Sequence, residues 1–112
     1  MMNTVTLLGR LTRDPEVRTT ANSQVANLSV ATERVKLDGN GHTFKDESGY
    51  TAKETEFHRV TCFGGVAKSV GEHKSKGDMV AIEGRLHYTK WTDQNGTDRY
   101  GSEIIAERVH FV

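Results

Sequence analysis

Apolar and polar residues alternate along five stretches of the chain, and the breaks between them outline the architecture. From Thr4 to Leu11, Val5, Leu7 and Leu11 fall on one side and Thr6, Leu8 and Arg10 on the other. That period of two is the signature of a β-strand. Gln24 to Arg34 repeats it, with Ala26, Leu28, Val30 and Thr32 together. A third strand runs from Thr55 to Phe63, rich in aromatic and β-branched residues. A fourth, Met79 to about Trp91, alternates Val80, Ile82, Leu86 and Tyr88, with Gly84 inserted as a bend. The last, Arg99 to Val112, carries Ile104, Ile105, Val109 and Phe111. Asp14-Pro15 reads as a turn and Asp93-Gln-Asn-Gly-Thr97 as a hairpin connection.

Between the third and fourth strands the period changes. Gly64-Gly65 breaks the strand, and Val66 to Lys76 reads as a short helix with Val66 and Val70 one turn apart. Lys76-Gly77-Asp78 is expected to close that helix with a glycine cap. From Lys36 to Glu54 the alternation dissolves into a long hairpin or mobile loop, a length that in small domains usually serves function. No internal repeat or low-complexity segment stands out. Five strands with one short helix between the third and fourth is the element order of an OB-fold. The expected fold is therefore mainly β, a five-stranded Greek-key barrel, and residues 1–112 form one domain.

Charge narrows the chemistry. Fifteen basic and fifteen acidic residues cancel, so no overall field attracts a polyanion. The single cysteine, Cys62, excludes an intrachain disulfide and fits a reducing compartment. No basic-then-apolar leader and no membrane-length apolar run is present, which points to a soluble intracellular domain with no membrane partner. The sequons at Asn27 and Asn95 are then coincidental.

The third strand carries the most informative pattern. Thr55, Phe57, Arg59, Thr61 and Phe63 share one face, while Val60 and Cys62 point to the core. Two rings flanking a guanidinium suit a single-stranded nucleic acid, whose bases stack on the rings while a phosphate pairs with the charge. Most Phe residues are interior, so burial of both rings is the competing reading. Arg59 between them favours exposure, because an arginine is rarely buried without a partner. Trp91, between Lys90 and a polar turn, is a third stacking candidate or else a lid on the barrel end. The loop from Leu37 to Glu56 is net −3, so a phosphate clamp there would fall to Lys45 and Lys53.

Catalysis finds no constellation. His42, His58, His73, His87 and His110 lack metal-ligand spacing, and no cofactor or metal is expected. Gly64 to Ser69 lacks the Gly-Lys-Ser/Thr ending of a phosphate loop. The chain reads as a binder and not an enzyme.

Across Asn3 to Val112 the chain resembles the bacterial and mitochondrial single-stranded DNA-binding proteins. The motifs are Leu8-Gly-Arg-Leu11, Asp14-Pro-Glu-Val-Arg18, Val25-Ala-Asn-Leu28, Thr55-Glu-Phe-His-Arg-Val60, Lys76-Gly77, Ile82-Glu-Gly-Arg-Leu86 and Lys90-Trp-Thr-Asp93. The resemblance implies sequence-tolerant protection of single-stranded DNA in replication, recombination and repair. It implies stacking on Phe57, Phe63 and Trp91 and phosphate pairing by Arg10, Arg18, Arg59, Lys76 and Lys90. His58 matches a subunit-interface position of the family's homotetramer; a dimer is the other assembly considered. The implied setting is the nucleoid-associated cytoplasm, or a mitochondrial matrix or phage-infected cell for a tail-less form.

Two departures accompany the likeness. A further family tryptophan, near Val35 or Lys36, is absent here, with Phe44 or Tyr50 as stand-ins. The acidic C-terminal tail through which bacterial members recruit replication and repair proteins is also absent, since the sequence stops at Val112. The expectation is a truncated or naturally tail-less form, with such partners only where a tail exists outside this chain. A tail-less adaptor of the primosomal type, binding partner proteins and nucleic acid, is the alternative.

Overall fold

Six strands and one helix account for the computed structural model, which describes all 112 residues: β1 (Val5–Leu11), β2 (Glu16–Thr19), β3 (Gln24–Val35), β4 (Lys53–Phe63), α1 (Gly64–His73), β5 (Met79–Thr92) and β6 (Asp98–Phe111). They form one sheet in the order β1-β5-β6-β4-β3-β2, and β1 pairs again with β3, which closes the barrel. β1 can serve both neighbours because it switches partner along its length. Val5 to Arg10 pair with β5, while Arg10 and Leu11 also pair with Ala31 and Val30 of β3. At that crossing a Cβ on Gly9 would stand 2.3 Å from the Ala31 carbonyl oxygen, so only glycine fits. Gly84 marks a register shift between β5 and β6, where a Cβ would meet the Ile105 carbonyl oxygen at 2.1 Å.

The inward residues of β1, β3, β4, β5 and β6 fill the barrel: Leu11, Ala26, Leu28, Val30, Val60, Cys62, Val80, Ile82, Ile104 and Ala106. Ala67 and Val70 of α1 join this core and plug one end. Each fully buried Val, Leu or Ile contributes about 1.5–3 kcal/mol relative to exposure. Burial also pushes the Cys62 thiol up to about 11, so it packs as a small apolar side chain.

Barrel and helix agree with the sequence expectation, the helix lying between the third and fourth barrel strands. Three details differ. The segment after Asp14-Pro15 forms an extra short strand, β2, which pairs with β3 from Glu16↔Asn27 to Thr19↔Gln24. All four of its residues are exposed, so no alternation announced it; its Val17 rests on α1 where Gly71 leaves room. The helix stops at His73, and Lys74 is already extended. Gly77 (φ 91°) therefore serves a separate turn, closed by the Asp78 N–H donating to the Ser75 carbonyl at 3.0 Å.

The third difference is a repeat. Asp38–His42, Asp46–Tyr50 and Asp93–Thr97 all read Asp-x-(Asn/Ser)-Gly-x. In each, the aspartate Oδ1 accepts two backbone N–H bonds, at 2.8 to 3.0 Å, from the residues two and four further on. The fourth residue is a glycine with positive φ, at 80°, 85° and 78°. Two such turns shape the segment between β3 and β4 into a folded extension, with Leu37 paired to Thr43 and Lys45 to Thr51.

Candidate nucleic-acid interface

β4 positions the central side chains by parity alone. Val60 and Cys62 are buried, whereas Phe57 is 68 % and Phe63 51 % exposed, on the opposite face with Arg59. Burial of both rings is thereby excluded. The pairing register extends this face sideways: Ala31 lies beside Phe57, Ser29 beside Arg59, Asn27 beside Thr61 and Val25 beside Phe63. Arg18 of β2 follows in the Val25 row, and Arg10 of β1 in the Ala31 row. On the other side, Ile105 pairs with Thr61, and Arg85 with Ile105.

Further along β5 and β6 the same face carries Glu103, Gly101 and Trp91. The Trp91 ring, 48 % exposed, leans over Gly101. Small residues next to these side chains (Ala31 beside Phe57, Ser29 beside Arg59, Gly101 under Trp91) leave the surface open between them.

Two grooves cross the face. One, of about 410 Å³, is bordered by Arg13, Arg18 and Arg59 together with Glu16, Asn27 and Glu103. Arg18 and Arg59 lie beyond ion-pairing distance of any carboxylate, and Arg13 reaches Glu16 only at 3.9 Å. Unneutralised guanidiniums facing an open groove are suited to hold phosphates. The other, of about 300 Å³, opens between Phe57 and Arg59 on β4 and Leu86 and Ser102 on the hairpin β5–β6. It exists because β4 and β6 pair at only two rows, Val60↔Ile104 and Thr61↔Ile105.

Residues 2–112 match the model of the single-strand binding protein family. The chain belongs to that family. It also superimposes on a deletion and point mutant of the single-stranded DNA binding protein from Thermus aquaticus, with a TM-score of 0.76 and 28 % identity, over 99 % of this chain and 50 % of that one. This chain thus spans half the length of that relative.

Within this member of the single-strand binding family, the basic residues singled out in the sequence divide into groups. Arg10, Arg18 and Arg59 share the aromatic face. Arg10 also donates from Nη1 to the Gly77 carbonyl at 3.2 Å, beside Lys76, whose backbone N–H donates to Asp14 at 2.8 Å. Lys90 departs from its expected company. Successive strand residues point to opposite sides, so Lys90 faces away from Trp91. Its Nζ lies 3.5 Å from Asp98 Oδ2 and 5.7 Å from the Tyr100 ring centre. Tyr88 and Tyr100, both exposed, occupy that reverse face.

His58 is on the inward side of β4, half-buried, with Nε2 2.8 Å from Thr32 Oγ1. By parity its side chain leaves β4 on the side opposite Phe57 and Arg59, although the residue also borders the smaller groove. Beyond it, Arg34 pairs with Glu54 and with Glu56. Phe44 and Tyr50 both lie exposed in the β3–β4 extension. Arg13 and Glu103 line the main groove yet carry no local sequence signal, since both are brought there by pairing of distant strands. No helix is long and apolar enough to cross a membrane.

Proposed function

We propose that this chain binds single-stranded DNA with little sequence preference, stacking bases on Phe57, Phe63 and Trp91 and holding phosphates with Arg59, Arg18 and Arg10. The observation that carries the reading is the exposure of both rings flanking the unpaired Arg59 on one barrel face. Membership of the single-strand binding family and the likeness to the Thermus aquaticus protein support it. Each stacked base is worth about 1–3 kcal/mol by alanine substitution, so three rings supply affinity that zero net charge does not.

Protection of single strands during replication, recombination and repair follows as the role, by binding and without turnover. Lys76, next to Arg10, extends the phosphate path, and Lys90 serves it from the reverse face of the hairpin. A homotetramer is the proposed assembly, with His58 and the surface around it buried between subunits; light scattering at micromolar concentration gives the mass. The decisive experiment replaces Phe57, Phe63 and Trp91 together by alanine. Affinity for oligo-dT falls by at least about a hundredfold on the stacking scale, and a change within twofold rejects the stacking reading.

A further inference from the structure

Glu103 is out of place on a surface meant for a polyanion. It stands on the wall shared by the two grooves, bordering both together with Arg59. Thr61, 7 % exposed, donates its hydroxyl to Glu103 Oε2 at 2.8 Å, which fixes the carboxylate. A threonine has one hydroxyl hydrogen, and this short charge-assisted bond takes it; Asn27 is the more distant neighbour of that hydroxyl at 3.3 Å. Oε1 has no protein partner, and no basic side chain lies within ion-pairing distance of Glu103. The result is an oriented acceptor on the wall between the grooves, beside three arginines that would hold the backbone.

A free carboxylate oxygen repels phosphate and carbonyl oxygens and accepts from an amino group. Among the pyrimidines, cytosine presents the N4 amine where thymine and uracil present the O4 carbonyl. Bases of a single strand lie open on their pairing edges, and a base stacked on Phe57 or Phe63 lies on the face that carries Glu103. Resting on the DNA-binding reading above, we infer that Glu103, positioned by Thr61, makes this face favour cytosine over thymine or uracil. Sequence tolerance is then graded and not flat.

The test compares fluorescein-labelled deoxycytidine and deoxyuridine oligonucleotides of one length by anisotropy at fixed salt, a pair that exchanges the amine for the carbonyl without adding a methyl. The wild-type chain binds deoxycytidine at least about threefold more tightly, below the roughly fivefold or more of one good contact in a fixed register, because a single strand averages over registers. Glu103→Gln tightens both by removing a negative charge but brings the ratio close to one. Thr61→Val, which unfastens the carboxylate while keeping its charge, lowers the ratio as well. Thermal melts of both variants near wild type establish that they fold. A wild-type ratio of one, or a parallel change in both ligands on Glu103→Gln, overturns the inference while DNA binding stands. No binding of either oligonucleotide at low salt overturns the DNA-binding reading itself.

Discussion

The Trp91 ring lies across Gly101: a Cβ added there would stand 3.1 Å from Cζ3 and 3.4 Å from Cη2. Thr89 Oγ1 flanks the same spot at 3.1 Å, so a side chain there would meet the ring and the hydroxyl together. Gly101→Val therefore lifts the indole from the hairpin. We expect red-shifted Trp91 emission and an affinity for oligo-dT lowered by about five- to tenfold, a good part of one stacked base. Unchanged emission together with unchanged affinity would show that Trp91 does not depend on this seat.

The split between Arg59 and Lys90 predicts different salt behaviour. On single strands each neutralised phosphate contributes about 0.7 to the slope of log K against log salt. Arg59→Ala and Arg18→Ala should each flatten that slope by about this amount. Lys90→Ala, already partnered by Asp98 on the reverse face, should flatten it by less than half as much. A larger loss for Lys90 than for Arg59 would place the backbone on the wrong side of the hairpin.

Gly84 predicts a stability effect with no functional component. A Cβ there meets the Ile105 carbonyl oxygen and carbon at 2.1 and 2.9 Å, backbone atoms of the paired strand that cannot rotate away. Gly84→Ala should cost about 2–3 kcal/mol in urea unfolding. A loss under 0.5 kcal/mol, on the order of a surface substitution, would mean that the β5–β6 bulge relaxes freely.

Asp93 gives a pH dependence. Its carboxylate accepts from the Thr97 backbone N–H, pairs with the Arg99 guanidinium and accepts from Asn95, and these hold its pKa below the ordinary 3.8. A carboxyl depressed in the folded chain adds stability that is complete above the unfolded value and lost as pH falls through the folded one. The hairpin that carries Trp91 should thus stay closed through the neutral and mildly acidic range and loosen only in strong acid. Amide shifts of Asn95 and Thr97 followed by NMR should titrate together with a midpoint under 3.8. Asp93→Asn should abolish that titration, and a midpoint at or above 3.8 would contradict the geometry.

Much of the aromatic face was legible because a strand converts parity into geometry. Phe57, Arg59 and Phe63 are all odd-numbered, Val60 and Cys62 even, and one exposed arginine decides which set faces water. The same rule, applied one strand later, separates Lys90 from its sequence neighbour Trp91 and groups it with Tyr88. β2 was hidden because it buries nothing and is held by backbone bonds to β3, which leave no hydrophobic trace. The Asp-x-x-Gly-x turns were visible as composition but not as a repeat, since their shared element is a backbone shape set by one aspartate and one glycine. Glu103 and Arg13 were out of reach, because the register that joins β6 to β4 and β2 to β3 is not written in either segment alone.

On the proposed DNA-binding reading, the two-row junction between β4 and β6 also bears on how one face would accept bases of different size. The strands flanking this junction are zipped over long ladders, thirteen rows between β5 and β6 and eleven between β3 and β4. Where the ladders are long, widening a gap costs a hydrogen bond at every step; beyond Val60↔Ile104 and Thr61↔Ile105 there is none left to break. On the proposed DNA-binding reading, the groove between Phe57 and Ser102 is the part of this face that adjusts to a bound base with the fewest ladder bonds lost.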